Sequence, residues 1–240
     1  MNRKLMLLVA GALTALAFTA LPGAASAEET TLKCLTGAPC EYTVHGGQTK
    51  FSIKGGDTVN CASITGSGSV TGLNAEKEST TTANTFFFHE CKEQNTIFHF
   101  ACTVPGQPSG TAKIEATGHN VKLPVAEAPT EAGVLLTLPA AGVTFSCAGG
   151  FAQTTVTGNI IGEFEKKCGA ESKGKEQKVN FTAEEDGVQL NKTYTSKTYD
   201  LIGATSHAST PSETTGYVTA AQKGTGILTF NQEVELTCKA

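Results

Sequence analysis

Apolar and polar positions along this chain alternate in short runs, and almost no window of a dozen residues repeats at helical spacing. Lys50–Lys54 sets Phe51 and Ile53 between polar neighbours, then stops at Gly55-Gly56-Asp57. Thr225–Cys238 ends in ILTFNQEVELTC, which alternates over its whole length. Elsewhere, the pattern predicts strands over Glu41–His45, Thr58–Ile64, Thr111–Ala116, Asn120–Leu123, Gly133–Leu138, Gly142–Cys147, Phe151–Phe164, Val179–Ala183 and Val188–Thr195. The run GSGSVTG (Gly66–Gly72) reads as a turn region, and Lys166–Lys178 as a polar loop. Gly158 and Gly162, inside a β-branched run, are candidate bulges. Many short strands at turn spacing predict an all-β antiparallel sandwich or barrel with almost no helix.

The stretch Phe86–Cys102, FFFHECKEQNTIFHFAC, stands out within this series. The polar run Lys92–Asn95 separates two aromatic segments, which predicts a hairpin with a loop of four residues or more. Side chains alternate faces along a strand, so Phe87, His89 and Cys91 share one face, and Phe98, Phe100 and Cys102 share another. If those faces coincide, Cys91 and Cys102 can bridge. A tighter register pairs Cys91 with Thr96 instead. A metal site from His89, His99, Cys91 and Cys102 is the sharper alternative, but His99 has the opposite parity to Cys102.

The first residues change the picture of where the chain resides. Asn2-Arg3-Lys4 precedes an apolar core from Leu5 to Leu21, and Ala25-Ser26-Ala27 fits the small-x-small cleavage rule, so residues 1–27 read as a secretory signal peptide. The expected organisation is this signal, an N-terminal segment over 28–57 with a small Cys34–Cys40 loop, and one all-β domain over 58–240. The expected location is secreted, extracellular or cell-wall associated.

All eight cysteines follow the signal, and an even count there implies disulfides. The expected pairs are Cys34–Cys40 across a turn-forming loop, Cys91–Cys102 within the hairpin, Cys61–Cys147, and Cys168–Cys238 tying the end of the chain to its middle. No CxxC motif signals a redox dithiol or a zinc ribbon.

Composition narrows the function classes. The only Arg, Arg3, leaves with the signal, and the remainder carries 16 Lys against 22 acids and no Trp. Bidentate guanidinium contacts to nucleic acid are then absent, and no polybasic patch faces a membrane. No later apolar run is long enough to span a bilayer as a helix. GSGSVTG lacks the spacing of a nucleophile elbow. A non-local Ser-His-Asp triad has only Asp57, Asp186 and Asp200 to draw on. His89-Glu90 does not begin an HExxH motif, because Glu93 stands where the second His belongs. Glu163 with Glu165, and Glu233 with Glu235, share strand faces and could serve a glycosidase, although such alternation more often marks a solvated face. A glycan platform has only Tyr42, Tyr194, Tyr199 and Tyr217 beside the Phe residues. Thr193 and Thr195 repeat at period two, as strand threonines commonly do. Asn180 and Asn191 begin glycosylation sequons.

Several short motifs carry a resemblance: Cys61 followed by GSGSVTG, the Phe-rich strand ending at Cys91, the return to Cys102, Phe145-Ser-Cys147, and VTGNIIGEF at 156–164. Over Asn60 to about Gly162 the chain resembles a class of secreted, β-rich, Cys-containing proteins found as many paralogues in high-GC soil actinobacteria. The resemblance implies secretion, an all-β fold and a core set of Cys61, Cys91, Cys102 and Cys147. It carries over no catalytic, cofactor or ligand residue, and Cys34, Cys40, Cys168 and Cys238 lie outside its pattern. The reading that results is a disulfide-stabilised β domain acting as a structural or binding module, without a cofactor, whose partner could be a cell-wall or other extracellular polymer. The alternative is a secreted hydrolase with a non-local site.

Overall fold

The structure, a computed structural model, describes residues 30–53, 58–73, 79–94, 99–123, 132–147, 152–184, 189–190, 193–196, 199–203, 206–209 and 218–238. Residues 1–27, the expected signal peptide, lie outside them. The strands are β1 (Thr30–Cys34), β2 (Cys40–Gly46), β3 (Thr49–Ile53), β4 (Thr58–Cys61), β5 (Ser63–Leu73), β6 (Ser79–His89), β7 (Lys92–Glu93), β8 (Cys102–Thr103) and β9 (Ala112–Lys122). They continue as β10 (Ala132–Thr137), β11 (Val143–Cys147), β12 (Ala152–Phe164), β13 (Gly174–Phe181), β14 (Thr193–Ser196), β15 (Tyr199–Gly203), β16 (Ser206–Ser209) and β17 (Val218–Cys238). A 3-10 turn covers Ala170–Ser172. The expected all-β, antiparallel class is what the chain adopts, and among the described residues no helix is long and apolar enough to cross a membrane.

The strand pairings close on themselves. β17 pairs with β2, β2 with β5, β5 with β6, β6 with β9, and β9 with β10. β10 then pairs with β12, β12 with β13, and β13 returns to β17. A second circuit leaves β17 higher up, through β3, β4 and β7. The Lys92–Ala101 bridge carries it to β8, and β11, β12 and β16 bring it back to β17. The two rings share β12 and β17. Gly158, at φ +95°, is where β12 exchanges β10 for β11 and β16. A residue with a side chain is strained at that φ.

Residues 30–53, which the sequence sets apart as an N-terminal segment, contribute to both rings: β2 lies between β17 and β5, and β3 between β17 and β4. β1 extends along the end of β17, from Thr30 opposite Cys238 to Cys34 opposite Val234, and its Leu32 joins the core. Inside the first ring pack Tyr42, Val44, Val70, Phe164, Val179, Phe181 and Phe230. A smaller buried cluster, Val121, Leu123, Leu135 and Ile161, covers the opposite face of β9, β10 and β12.

Two turn or bulge expectations become strand. GSGSVTG runs through the middle of β5, because its glycines leave room for large neighbours. A Cβ on Gly68 would stand 2.3 Å from the Asn84 Oδ1 and 2.5 Å from the Tyr42 hydroxyl. Tyr42 donates a hydrogen bond to that same Asn84 oxygen, inside the ring. Gly162 is not a bulge; it stays in register opposite Val134, with Val179 and Phe181 packed over it. Likewise β9 is one strand where the sequence suggested two, and β13 begins inside the expected polar loop.

The disulfides join Cys34 to Cys40 and Cys168 to Cys238, the two pairs expected at the chain's ends. The middle four differ. Cys61 bonds Cys91 and Cys102 bonds Cys147, so the expected Cys91–Cys102 and Cys61–Cys147 pairs are corrected. The register explains why. Val59 faces Glu93 and Asn60 faces Lys92, which sets Cys61 opposite Cys91. Lys92 faces Ala101, which sets Cys91 beside Cys102, and Cys102 faces Cys147. The four thus lie in one transverse row. Cys91 and Cys102 are joined through the backbone, the Cys102 N–H donating to the Cys91 carbonyl at 2.9 Å; hydrogen-bonded positions hold Cα atoms at about 5.5 Å. The bonded pairs sit closer, at 3.9 and 4.1 Å. Cys61 and Cys147 stand three strand spacings apart, roughly 14 Å, out of reach.

Two outcomes follow. Cleavage at Lys92 of the unreduced protein separates Cys91 from Cys102, and mass spectrometry then finds Cys61–Cys91 and Cys102–Cys147 cross-linked peptides; a Cys91–Cys102 peptide would refute the row. Gly68→Ala forces the buried Tyr42–Asn84 pair apart and lowers unfolding free energy by about 1–3 kcal/mol in a denaturant titration.

Candidate functional site

The expected Phe86–Cys102 hairpin is paired at its base. Glu93 N–H donates to Phe100 and Cys102 N–H to Cys91, at 2.8 and 2.9 Å, while residues 95–98, Phe98 among them, lie outside the described part. The expected shared face of Phe87, His89 and Cys91 is broken at Glu90. This residue takes φ +53°, a left-handed conformation uncommon outside Gly and Asn. The chain turns there, and Cys91 joins Phe88 in the core while Phe87 and His89 stay outside. The two outer rings stack along the strand, 6.5 Å between centroids, and His89 Nε2 lies 2.9 Å from the Thr65 hydroxyl. His99 is exposed. Cys91 and Cys102 are both in disulfides, so the four-residue metal alternative does not assemble, and no described group of three or more His, Cys, Asp or Glu could hold a metal.

The carboxylate pairs face outward. Glu165 pairs with Lys178 at 2.6 Å, and Glu233 with Lys173 at 3.4 Å. Such exposed pairs contribute at most about 1 kcal/mol each. No described histidine meets them: His45 and His99 are exposed, and His89 and His119 lie on the outer side of their strands. Of the triad aspartates, Asp57 and Asp186 lie outside the described residues, as do the side chains of Asp200, Tyr194, Tyr199, Tyr217, Thr193 and Thr195, and the sequon residue Asn191. Asn180 sits within β13, where its side-chain oxygen accepts from the Thr225 hydroxyl at 2.9 Å.

What does converge is apolar. Where the second ring meets the first, Phe51 of β3, Phe86 and Phe88 of β6, and Phe145 of β11 surround a cavity of about 90 Å³. Phe51 is the hub: its ring lies 5.0 Å from Phe88, edge on, and 5.3 Å from Phe145, spacings typical of favourable aromatic pairs. Val143, Val156 and Ala221 fill in the walls from β11, β12 and β17. That volume is several times the ~10–15 Å³ that admits one water. Polar groups line it from Ser52 of β3, Glu93 of β7, Thr154 and Asn159 of β12, and Gln222 of β17. Glu93 is only 4% exposed, an uncommon location for a carboxylate.

On the outer side of β4 and β7 lies a second, polar hollow of about 260 Å³. Glu93 lines it as well, together with Asn60, Glu90, Lys92 and His99. The Asn60 Oδ1 is buried and accepts no hydrogen bond. Sequence reasoning found the aromatic cluster but neither hollow. Phe51 and Phe145 are far from Phe88 in sequence, and only ring closure brings them together.

No known protein family, curated protein or solved structure matches the chain.

At the end of β9, Lys122 is buried, and desolvation lowers its ammonium pKa below the ordinary 10.5. The folded state therefore holds fewer protons than the unfolded chain between that lowered value and 10.5, and stability gained from deprotonation rises with pH through this window. In thermal unfolding against pH, the difference between the wild type and Lys122→Met is flat near neutrality. It then moves in the wild type's favour as the pH climbs toward 10.5; a flat difference throughout would refute the desolvation.

Proposed function

We propose that this chain is a secreted, disulfide-stapled β module that works by binding, and that its ligand seat is the Phe-walled cavity at the junction of the two rings. The observation that carries the reading is the cavity itself. An empty space of this size forgoes contacts worth roughly 2 kcal/mol at about 24 cal/mol per Å³, and a protein evolved only as a structural spacer would gain by filling it. A concave apolar site with a few placed polar groups is the usual form of a small-molecule site. Four disulfides suit an oxidising environment outside the cytoplasm, and the likeness to secreted actinobacterial β-rich proteins points the same way. The ligand class is a small apolar molecule, or the apolar end of a larger one such as a cell-surface component.

The test is thermal unfolding of the disulfide-intact protein with benzene or 1-hexanol. Occupancy at ten times Kd adds about 1.4 kcal/mol, which raises Tm by roughly 3–6 °C in a domain of this size. Val143→Phe, which places a ring in the space, abolishes the shift. The milder Val143→Ile raises the ligand-free stability by up to about 0.8 kcal/mol for its added CH2. Absence of any saturable Tm shift in the wild type would refute the reading.

A further inference from the structure

Among the polar residues around the Phe-walled cavity, Gln222 stands apart. It lies on β17 opposite Phe51 of β3, so its side chain shares the inward face of the Phe51 ring. Gln222 is 9% exposed, and its backbone N–H donates to the Gln189 side-chain oxygen at 3.0 Å. Its side-chain amide, by contrast, hydrogen-bonds no described residue.

The other polar residues do not share this position. Glu93 and Asn159 already engage other groups. Ser52 follows Phe51 in β3, so its side chain faces the opposite side of the sheet. Thr154 is inward, opposite Phe145, but it lies at the far end. Val156 is level with Val218 through Ala208, and Thr154 and Gln222 fall on opposite sides of that row.

A carboxamide carries an acceptor oxygen beside a donor NH2. Unpaired in a buried position, both carry a desolvation cost that a matching ligand group removes. A ketone answers only the donor. A cis amide presents N–H and C=O side by side, and pairs with both through two parallel hydrogen bonds. A charged head group is disfavoured, because it enters an apolar enclosure whose one carboxylate, Glu93, is already engaged.

Resting on the cavity as the ligand seat, we infer that the ligand is a small neutral lactam: an apolar ring held among Phe51, Phe86, Phe88 and Phe145, whose cis N–H and C=O pair with the Gln222 side-chain amide. A site built to hydrogen-bond a group rejects analogues lacking it far more strongly than an apolar pocket rejects a small change of shape. Gln222 therefore sets the selectivity, and the Phe rings set the basal affinity.

The experiment titrates 2-piperidone, cyclohexanone and benzene, all six-membered rings, into the disulfide-intact full chain by isothermal calorimetry, as wild type and as Gln222→Met. Methionine is close to glutamine in length and leaves the backbone bond to Gln189 in place. The substitution weakens 2-piperidone by about tenfold or more and cyclohexanone by about threefold, and leaves benzene within about twofold. In the wild type, 15N NMR shows the Gln222 side-chain amide protons moving downfield on saturation with 2-piperidone, and this measurement serves if Gln222→Met does not fold. A 2-piperidone affinity equal in variant and wild type, or Gln222 amide protons unmoved at saturation, overturns the assignment to Gln222 while benzene binding keeps the cavity as a site. Benzene binding without 2-piperidone binding overturns the lactam. Failure of benzene and 2-piperidone alike to bind overturns the cavity reading, and this inference with it.

Discussion

The transverse row Cys61–Cys91–Cys102–Cys147 is the constraint on which the second ring depends. That ring includes two of the shortest strands in the molecule, β7 and β8, each of two residues. Backbone pairing of such short strands is too weak to hold a closed sheet alone. Two covalent bonds and the hydrogen bond between Cys91 and Cys102 replace that missing length and carry continuity from β4 to β11. In the chain-entropy account, closing loops of 30 and 45 residues stabilises by roughly 4 kcal/mol each. The row also positions what lies beside it. Glu93 is two residues beyond Cys91, and Phe145 two residues before Cys147, so both keep the inward parity of the cysteines.

The first ring is held differently. Its strands are long, and side chains meet over glycines in its interior. Tyr42 and Asn84 occupy the space that Gly68 leaves, and Val179 and Phe181 that left by Gly162. One ring is therefore packed and the other tied, and the cavity lies where the two meet. There β12 changes partners at Gly158, and β17 changes partners from β3 to β2.

Much of this was legible in the sequence. Period-two alternation located β2, β3, β11 and the end of β17, the Cys34–Cys40 disulfide followed from a turn-forming loop, and Cys168–Cys238 was expected as a tie between the chain's end and its middle. The middle cysteines show the limit. In a transverse row each inward Cys has a neighbour on either side, and alternation along a strand says nothing about which neighbour is bonded. Ring registers decide that, and they are set by contacts between residues distant in sequence. The same limit applies to Glu90, whose positive φ reverses the parity that Phe87 and His89 would otherwise impose on Cys91. It applies to GSGSVTG as well: glycines that read as a turn serve as clearance for Tyr42. The cavity was invisible for a further reason. A void is a property of side chains that fail to meet, and no local pattern records it.

β17 belongs to both rings, and β1 is paired along its end. The order of assembly follows from this. Until residues 218–238 are available, β2, β3, β13 and β16 each lack a partner strand, and both sheets stand open with unpaired edges, the condition under which β proteins aggregate. Contacts that span most of the chain must form before either ring closes, so folding is slow for its size. The molecule is a clasp fastened by its last strand, and its vulnerable period lasts until that strand is in place.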